Sequence, residues 1–340
     1  MSVGLTAPAL FAEAFATPAW ADGKPLSYLH GFGAKAVPVV ALTWGVIWIS
    51  IVVVVIISAL VVVGISRRRA PDPIEPVSAI PITRSGSAIG WLYWGVGVST
   101  LALFGTLIWT VVVLADVNNP GVKPAVTIEI AGHQWWWSAR YLSDDPSRVL
   151  TTANEIHIPV GQPIRVKLIG ADVIHSFWVP ALAGKTDTIP GQTNTTWIEA
   201  DRPGRYMGQC TEYCGEQHAH MAFIVVAEPK SDFEKWQRAQ LLPAKAPDTP
   251  EAMRGERSFE FHCGACHTVR GTDAGGTVAP DLTHLMSRET LAAGAVPNTV
   301  GNLAGWVANP QAVKPGTLMP TLYLAGSELS DIGAYLKTLN

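Results

Sequence analysis

Two long segments without a charged residue constrain this chain more than any other feature of its sequence. They run over residues 36–66 and 85–115. A helix needs roughly 20 apolar residues to cross the hydrocarbon of a bilayer, so each segment is long enough to span a membrane with some tilt. The alternative is a pair of buried helices in a soluble core. The sequence favours a transmembrane helical hairpin within residues 36–116, with spans at about 38–65 and 88–115.

The loop between the two spans carries the charge that sets their orientation. It holds four arginines, against three lysines on the nearby outer flanks: Arg67, Arg68, Arg69 and Arg84 against Lys24, Lys35 and Lys123. The positive-inside rule puts the arginine loop in the cytoplasm. Both termini, and everything after about Asp116, are then predicted to lie outside.

Residues 1–35 form a separate N-terminal segment. Within it, the stretch 1–21 ends in Ala19-Trp20-Ala21, which is similar to a signal-peptide cleavage site, whereas Glu13 and the missing basic start argue against one. A signal peptide therefore stays open. In the whole chain of 340 residues, 15% are charged, 48% are hydrophobic and the net charge is −3, so we expect neither a disordered chain nor a nucleic-acid binder.

Beyond residue 118 the pattern changes to short β-rich runs separated by proline and glycine. The runs lie at residues 126–130, 155–159, 164–169, 195–199 and 222–227. Several short strands with turn signals between them are typical of an all-β sandwich or barrel. The sequence thus predicts an all-β domain over residues 119–229.

One short segment of this region carries two thiols, an imidazole and a thioether. Cys210, Cys214, His218 and Met221 fall within twelve residues. Soft sulfur with imidazole favours copper, and a second cysteine can bridge two copper ions. A second imidazole has to come from elsewhere, and His175 is well placed to supply it. The alternatives are a structural zinc site, which has no need of the thioether, and a disulfide between the two cysteines.

The motif Cys-x-Glu-x-Cys-Gly-x-x-His-x-x-Met, preceded by Asp-Val-x-His-Ser-Phe-x-Val-Pro, resembles subunit II of the haem–copper cytochrome c oxidases. The resemblance covers roughly residues 30–229. It implies a cupredoxin-like Greek-key domain that holds the dinuclear copper centre CuA. The implied ligands are Cys210 and Cys214 as bridges, His175 and His218 on one copper each, and Met221 and the Glu212 carbonyl as weak ligands. The Glu212 carboxylate is further implied to reach a magnesium ion at the interface with subunit I.

The run Gly132-His-Gln-Trp135-Trp136-Trp137 is a second mark of the same family. The family usually reads Trp-Tyr-Trp here, so Trp136 departs from its pattern. The resemblance implies that Trp135 is the point of electron entry from cytochrome c. The alternative is that all three indoles pack the core, and alternation in a strand puts Trp136 on the face opposite its neighbours.

The last part of the chain contains the haem c attachment signature Cys-x-x-Cys-His at Cys263, Cys266 and His267. Residues 251–340 resemble a class I cytochrome c, an all-α fold. The resemblance implies that His267 is the proximal ligand, that the carbonyl of Pro280 accepts its hydrogen bond, and that Met319 is the distal ligand.

Met286 is the rival distal ligand, and His262 and His284 are interpreted as surface residues. The proline-rich stretch 230–250, with a short helix in it, is predicted to be a semi-rigid linker.

The two resemblances together imply the electron-entry subunit of a bacterial cytochrome c oxidase, an oxidoreductase and translocase. Electrons would pass from haem c to CuA and on to haem a of subunit I, where oxygen is reduced to water with proton translocation. The implied partners are subunits I and III and an external donor such as a cytochrome c or the bc complex. The predicted location is the inner membrane, with both cofactor domains on the periplasmic face. The alternatives are the CuA subunit of a nitric-oxide reductase and a membrane-tethered electron carrier without an oxidase.

Overall fold

The computed structural model describes residues 26–67 and 86–340. Its first elements are two long helices, α1 (Ala36–Ser66) and α2 (Gly86–Asn118). Their most apolar windows are 0% and 6% buried, which contradicts the alternative of buried helices in a soluble core. The two predicted apolar helices are confirmed, and they extend one to three residues beyond the predicted spans. The N-terminal stretch 1–25 and the loop arginines Arg68, Arg69 and Arg84 lie outside the described residues.

A β-sandwich of two five-stranded sheets follows the helices. The first sheet has the spatial order β3 (Leu150–Ala153), β2 (Trp136–Leu142), β1 (Val126–His133), β5 (Ile164–Gly170) and β8 (Thr193–Ile198). The second has the order β4 (Glu155–Pro159), β10 (Ala222–Glu228), β9 (Gly204–Cys210), β6 (His175–Trp178) and β7 (Thr186–Thr188). The pairs β1–β5 and β4–β10 are parallel, and the others are antiparallel.

The core of the sandwich forms from alternate residues of these strands. On β1, Ile128 and Ile130 are fully buried, and Phe223 and Val225 of β10 are fully buried as well. In a strand, successive side chains point to opposite faces, so every second residue meets the other sheet. The five β-rich runs of the sequence correspond to β1, β4, β5, β8 and β10, which confirms those predictions.

Strand β9 has no β-rich signal in the sequence because two of its seven residues are glycines. The structure gives the reason for one of them. The ring of Phe223 on the paired strand β10 lies directly over Gly208, so a Cβ at this position would collide with it. Packing of Phe223 across the strand pair therefore requires glycine at position 208, although glycine has a low propensity for β-strands.

The sandwich is fastened to the helical hairpin by side chains at its edge. The indole N–H of Trp197 donates to the carbonyl of Val117 near the end of α2 at 2.9 Å. The ammonium of Lys35, just before α1, donates to the hydroxyl of Thr196 at 2.5 Å. Burial lowers the pKa of Lys35 to about 8. Both contacts use neighbouring residues of β8, which sets the sandwich at the open end of the hairpin.

The short helix predicted within the stretch 230–250 is confirmed, and it packs on the sandwich. Helix α3 (Lys230–Gln240) belongs to the sandwich, because Phe233 is buried in the core and Trp236 packs against it. The chain after α3 is held as well, since the N–H of Ala244 donates to the carbonyl of Arg270 at 2.8 Å. The packing of α3 and this backbone hydrogen bond therefore restrict the motion of the stretch 230–250.

The C-terminal domain is a small helical fold. It contains α4 (Pro250–His262), α5 (Val300–Ala308), α6 (Pro310–Val313) and α7 (Gly326–Leu336), with the two-residue strands β11 (Thr290–Leu291) and β12 (Val296–Pro297). Helices α4 and α7 cross closely at Gly255, where a Cβ would meet the carbonyl of Asp331. Phe259 and Tyr335 form the aromatic centre of its core, with ring centroids 5.5 Å apart. The cytochrome-like all-α region is thereby confirmed as a helical domain.

Candidate metal centre and haem attachment site

The sequence segment rich in sulfur becomes a compact loop between two paired strands. We call residues 210–221 the sulfur loop. It begins at the last residue of β9, Cys210, and ends just before β10. Strand β6 pairs with β9 and places Phe177 opposite Cys210, which brings His175 alongside the loop although it is 35 residues away in sequence. The sheet therefore supplies the second imidazole that the sequence required.

The potential ligand atoms converge around the two cysteine sulfurs, which lie 3.7 Å apart. The Nδ1 atom of His175 is 3.9 Å from Cys210 Sγ, and Nδ1 of His218 is 3.5 Å from Cys214 Sγ. The thioether sulfur of Met221 is 3.8 Å from Cys214 Sγ. All six predicted positions of the metal centre thus meet at one place, because the carbonyl of Glu212 lies 3.3 Å from Cys210 Sγ.

Electrostatics at the pair favour one thiolate. The hydrogen bond between the two thiols, against the effect of burial, lowers the pKa of the Cys210 thiol to about 4, with a further contribution from His175. The same contact with Cys210 raises the pKa of the Cys214 thiol. Burial would lower the pKa of His175, but its hydrogen bonds with Cys210 and Asp172 raise it. The geometry provides a negative, soft donor set in a buried pocket.

Asp172 orients His175, and the sequence analysis did not single it out as functional. Its carboxylate lies 2.8 Å from Nε2 of His175, which leaves Nδ1 directed at Cys210. Gly132 makes room for the same ring, since a Cβ there would come 2.8 Å from it. A carboxylate that holds the distal nitrogen of a metal-binding imidazole fixes its tautomer and direction. The sequence signal for this role is an acidic residue three positions before the candidate ligand His175.

The donor set fits a pair of copper ions. Two free thiols, two imidazole Nδ1 atoms and a thioether point to soft-metal chemistry, whereas a structural zinc site has no use for the thioether of Met221. The ligand atoms of His175, Cys210 and Cys214 all lie within 4.8 Å of one another. The remaining histidine of the loop, His220, points elsewhere and bonds to Gln217 at 2.7 Å.

The carboxylate of Glu212, predicted to reach a magnesium ion, has a different neighbour in this chain. It lies 3.6 Å from the ammonium of Lys185 and is about half exposed, at 44% of the side chain. The carbonyl and the carboxylate of this residue therefore face different surroundings. Only the carbonyl takes part in the cluster around Cys210.

The three neighbouring indoles differ in burial. Trp137 is fully buried and Trp136 is partly buried, which confirms that they lie on opposite faces of β2. Trp135 precedes this strand and is 8% exposed. Its indole N–H donates to the carbonyl of Cys214 at 2.9 Å, and Gln134 Nε2 donates to the same carbonyl at 2.7 Å. Trp135 therefore contacts the sulfur loop directly.

The haem attachment residues occupy the end of α4 and the turn after it. Cys263 is partly buried and Cys266 is exposed, both as free thiols. The Nδ1 atom of His267 lies 2.8 Å from the carbonyl of Pro280, so the predicted hydrogen bond is confirmed. That bond leaves Nε2 free to face an iron atom. Burial lowers the pKa of His267, which keeps the ring neutral as an iron ligand requires.

The two candidate distal methionines have different surroundings. Met319 is partly buried and lies in the loop after α6. Its backbone carbonyl accepts a hydrogen bond from the Gln311 side chain at 3.0 Å. Met286 packs against the domain core, and its N–H donates to the carbonyl of Leu339 at 2.7 Å. Its place in the core makes Met286 the weaker candidate. His284, interpreted above as a surface residue, is buried, because both ring nitrogens bond to backbone carbonyls at Asn340 and Leu242.

Comparison with known proteins agrees with this division of the chain. The family described as "Cytochrome C oxidase subunit II, periplasmic domain" matches residues 139–228, and the family "Cytochrome c" matches residues 252–340. A crystal structure of the periplasmic domain of subunit II of cytochrome oxidase from Bradyrhizobium japonicum is 34% identical. It covers 35% of this chain and 95% of that one, with a TM-score of 0.33.

Two curated relatives match about two thirds of the chain. Cytochrome c oxidase subunit 2 of Alkalihalophilus pseudofirmus is 38% identical over 216 residues, which cover 63% of this chain and 61% of the relative. The protein of the same name from a Bacillus species is 32% identical over 243 residues, which cover 66% of this chain and 67% of the relative. The alignments thus span about two thirds of these relatives or less. Two apolar helices, a cupredoxin-like β domain and a helical cytochrome c domain follow one another, and the chain belongs to the cytochrome c oxidase subunit 2 family.

Proposed function

We propose that this chain is the electron-entry subunit of a terminal respiratory oxidase. In this proposal, electrons pass from haem c to the dinuclear copper centre and on to haem a of subunit I, where oxygen is reduced to water and protons are translocated. The observation that carries the proposal is the convergence of two thiols, two imidazoles and a thioether in the sulfur loop, beside a helical domain with a haem attachment signature. When bound, copper and haem supply one-electron carriers, which amino-acid side chains alone do not offer.

The residues of the chain divide into four tasks. Cys210 and Cys214 would bridge the metals, His175 and His218 would each hold one, and Met221 and the Glu212 carbonyl would be weak ligands. In the helical domain Cys263 and Cys266 would bind the porphyrin, with His267 and Met319 on the iron. Asp172 and Pro280 orient one imidazole in each site. Trp135 is the proposed point of electron entry to the sulfur loop, because its indole is bonded to Cys214.

The proposed location follows from the anchor. The two apolar helices fasten the chain in a membrane, and the cofactor domains would face the periplasm of a bacterial cell. Subunits I and III would be the partners in the membrane, and a cytochrome c or the bc complex would be the external donor. A magnesium ion at the interface with subunit I would bind the Glu212 carboxylate, whose Oε2 atom lies 3.6 Å from the ammonium of Lys185.

Two histidines of the sulfur loop provide the test, because they are two residues apart and differ in their contacts. The full chain, loaded with copper and haem, is compared with His218→Asn and His220→Asn by metal analysis and electron paramagnetic resonance. We expect two coppers per chain and hyperfine structure shared by two nuclei in the unaltered chain and in His220→Asn. His218→Asn should lose the shared pattern. A single-copper spectrum in the unaltered chain would overturn the proposal.

A further inference from the structure

The helical domain is joined to the sandwich by a buried lysine that neither site explains. Lys314 follows α6 in the helical domain, and only 2% of it is exposed. Its ammonium donates to the carbonyl of Trp135 at 2.6 Å and to that of His220 at 2.7 Å, both in the sandwich. A third bond, at 3.0 Å, goes to the carbonyl of Ala292 in its own domain.

Three hydrogen bonds match the donor capacity of this group. An ammonium has three N–H donors and no acceptor, and each of them has a carbonyl partner here. Burial lowers the pKa of Lys314 to about 7, which reflects the cost that these bonds offset. A buried charge is retained only when it is well hydrogen-bonded, so the contact demands one relative placement of the two domains.

Other contacts cross the same boundary and depend on that placement. The N–H of Ala222, the first residue of β10, donates to the carbonyl of Ala293 at 3.0 Å. The N–H of Glu289 donates to the carboxylate of Glu155 at 3.0 Å, and the Glu289 carboxylate pairs with Arg205. Two backbone amides, one from each domain, therefore report whether the domains are docked.

Lys314 lies on a short path between the two candidate sites. On one side, it begins the loop that presents Met319, and the Gln311 side chain ties this loop together by accepting from Gly316 N–H and donating to the carbonyls of Thr317 and Met319. On the other side, its partner Trp135 bonds to the carbonyl of Cys214. Its second partner, His220, is adjacent in sequence to Met221.

We infer that Lys314 is a positioning residue that holds the Met319 loop of the haem domain against Trp135 and the sulfur loop, so that electrons pass between the two centres within one docked chain. This inference rests on the proposed function for its electron-transfer part. The docking itself rests on the contacts alone. Tethering raises the local concentration of the donor, and a fixed contact adds orientation to it.

The test compares Lys314→Met with Lys337→Met, an exposed lysine at the end of α7 in the same domain. Hydrogen exchange in the full chain is followed by mass spectrometry at Ala222 and Glu289, with Val269 as an amide bonded within the helical domain. We expect exchange at the two boundary amides to become at least about tenfold faster in Lys314→Met, equivalent to about 1.4 kcal/mol. Exchange at Val269, and all exchange in Lys337→Met, should be unchanged.

A second readout addresses electron transfer. After photoreduction of haem c, the rate of electron transfer to copper should fall at least about tenfold in Lys314→Met, while the copper spectrum and the haem potential stay as they were. Unchanged exchange and an unchanged rate would overturn the inference, and so would an altered copper spectrum, since Lys314 would then act within the site.

A third variant guards against misfolding. If Lys314→Met does not fold, Lys314→Gln, which keeps two N–H donors, replaces it and should give smaller changes in the same direction. Unchanged hydrogen exchange at Ala222 and Glu289 in Lys314→Gln would then contradict the inference. If the unaltered chain transfers no electron from haem to copper, the proposed function fails, whereas hydrogen exchange still decides the role of Lys314.

Discussion

The indole N–H of Trp135 donates a hydrogen bond of 2.9 Å to the backbone carbonyl of Cys214. The bond joins an aromatic ring just before β2 to the second cysteine of the sulfur loop. Because Gln134 donates to the same carbonyl, the loop is held at this point by two adjacent residues. The contact gives Trp135 a structural task in addition to any task in electron transfer.

Replacement of Trp135 by Phe tests the structural task. The variant keeps an aromatic ring but loses the donor, while Gln134 still satisfies the carbonyl. We expect a loss of about 0.5–1.5 kcal/mol in the free energy of unfolding, measured by denaturant titration. The double variant with Gln134→Leu leaves the buried carbonyl without either donor and should lose more than the sum of the single variants. Strict additivity would contradict the shared role. Trp136→Phe, on the other face of the strand, is the control.

Removal of the Asp172 carboxylate should weaken metal binding without removing a ligand. In Asp172→Asn the group that holds Nε2 of His175 loses its charge, so the imidazole is oriented less firmly. Loss of such a partner typically costs about 10–100-fold in metal affinity. Copper affinity is measured by competition with a chelator, and Asp144→Asn in an exposed loop serves as the control. Equal affinities in the two variants would mean that Asp172 does not orient the ligand.

Replacement of two helical glycines by alanine should change the stability of the helical domain in opposite directions. At Gly255 a Cβ would collide with the carbonyl of Asp331, so Gly255→Ala should force α4 and α7 apart and cost about 1–3 kcal/mol of stability. At Gly333 in α7 nothing lies within 4 Å of the added carbon. Gly333→Ala should therefore stabilise the helical domain by about 0.4–1 kcal/mol. Thermal unfolding of the helical domain, followed at the haem absorption, measures both effects.

Stability should fall as the pH rises through the pKa of His157. Burial would lower the pKa of this histidine, but its hydrogen bonds with Glu155 and Glu228 raise it. A folded-state pKa above the unfolded value of about 6.5 adds stability that is fully present below that pH. The contribution is lost as the pH rises through the raised pKa. Unfolding free energies across this range should depend less on pH in His157→Gln than in the unaltered chain.

The control for this prediction is His262→Gln. That residue is partly exposed, with 27% of its side chain accessible, and it lies 3.5 Å from a carboxylate oxygen of Glu328. His157→Gln should therefore change the pH dependence of unfolding more than His262→Gln does. If both variants changed the pH dependence equally, the carboxylates of Glu155 and Glu228 around His157 would not be its source.

The sequence by itself determined the features that depend on near neighbours in the chain. Two uncharged runs predict two membrane helices, because length and apolarity suffice for a span. Cys263, Cys266 and His267 form a haem attachment signature within five residues, and Cys210 to Met221 lie in a single loop. Family resemblance then named the ligands, and five strands followed from their own β-rich composition.

Only the tertiary structure decided which distant residues meet. The pairing of β6 with β9 brings His175 to Cys210, and the partly exposed carboxylate of Asp172, three residues earlier, orients its ring. His284 is buried by two backbone carbonyls from distant parts of the chain, and Lys314 is buried between two domains. No local pattern distinguishes such a lysine from an exposed one. Its surroundings come from residues 94 and 179 positions away, and long-range packing alone sets them.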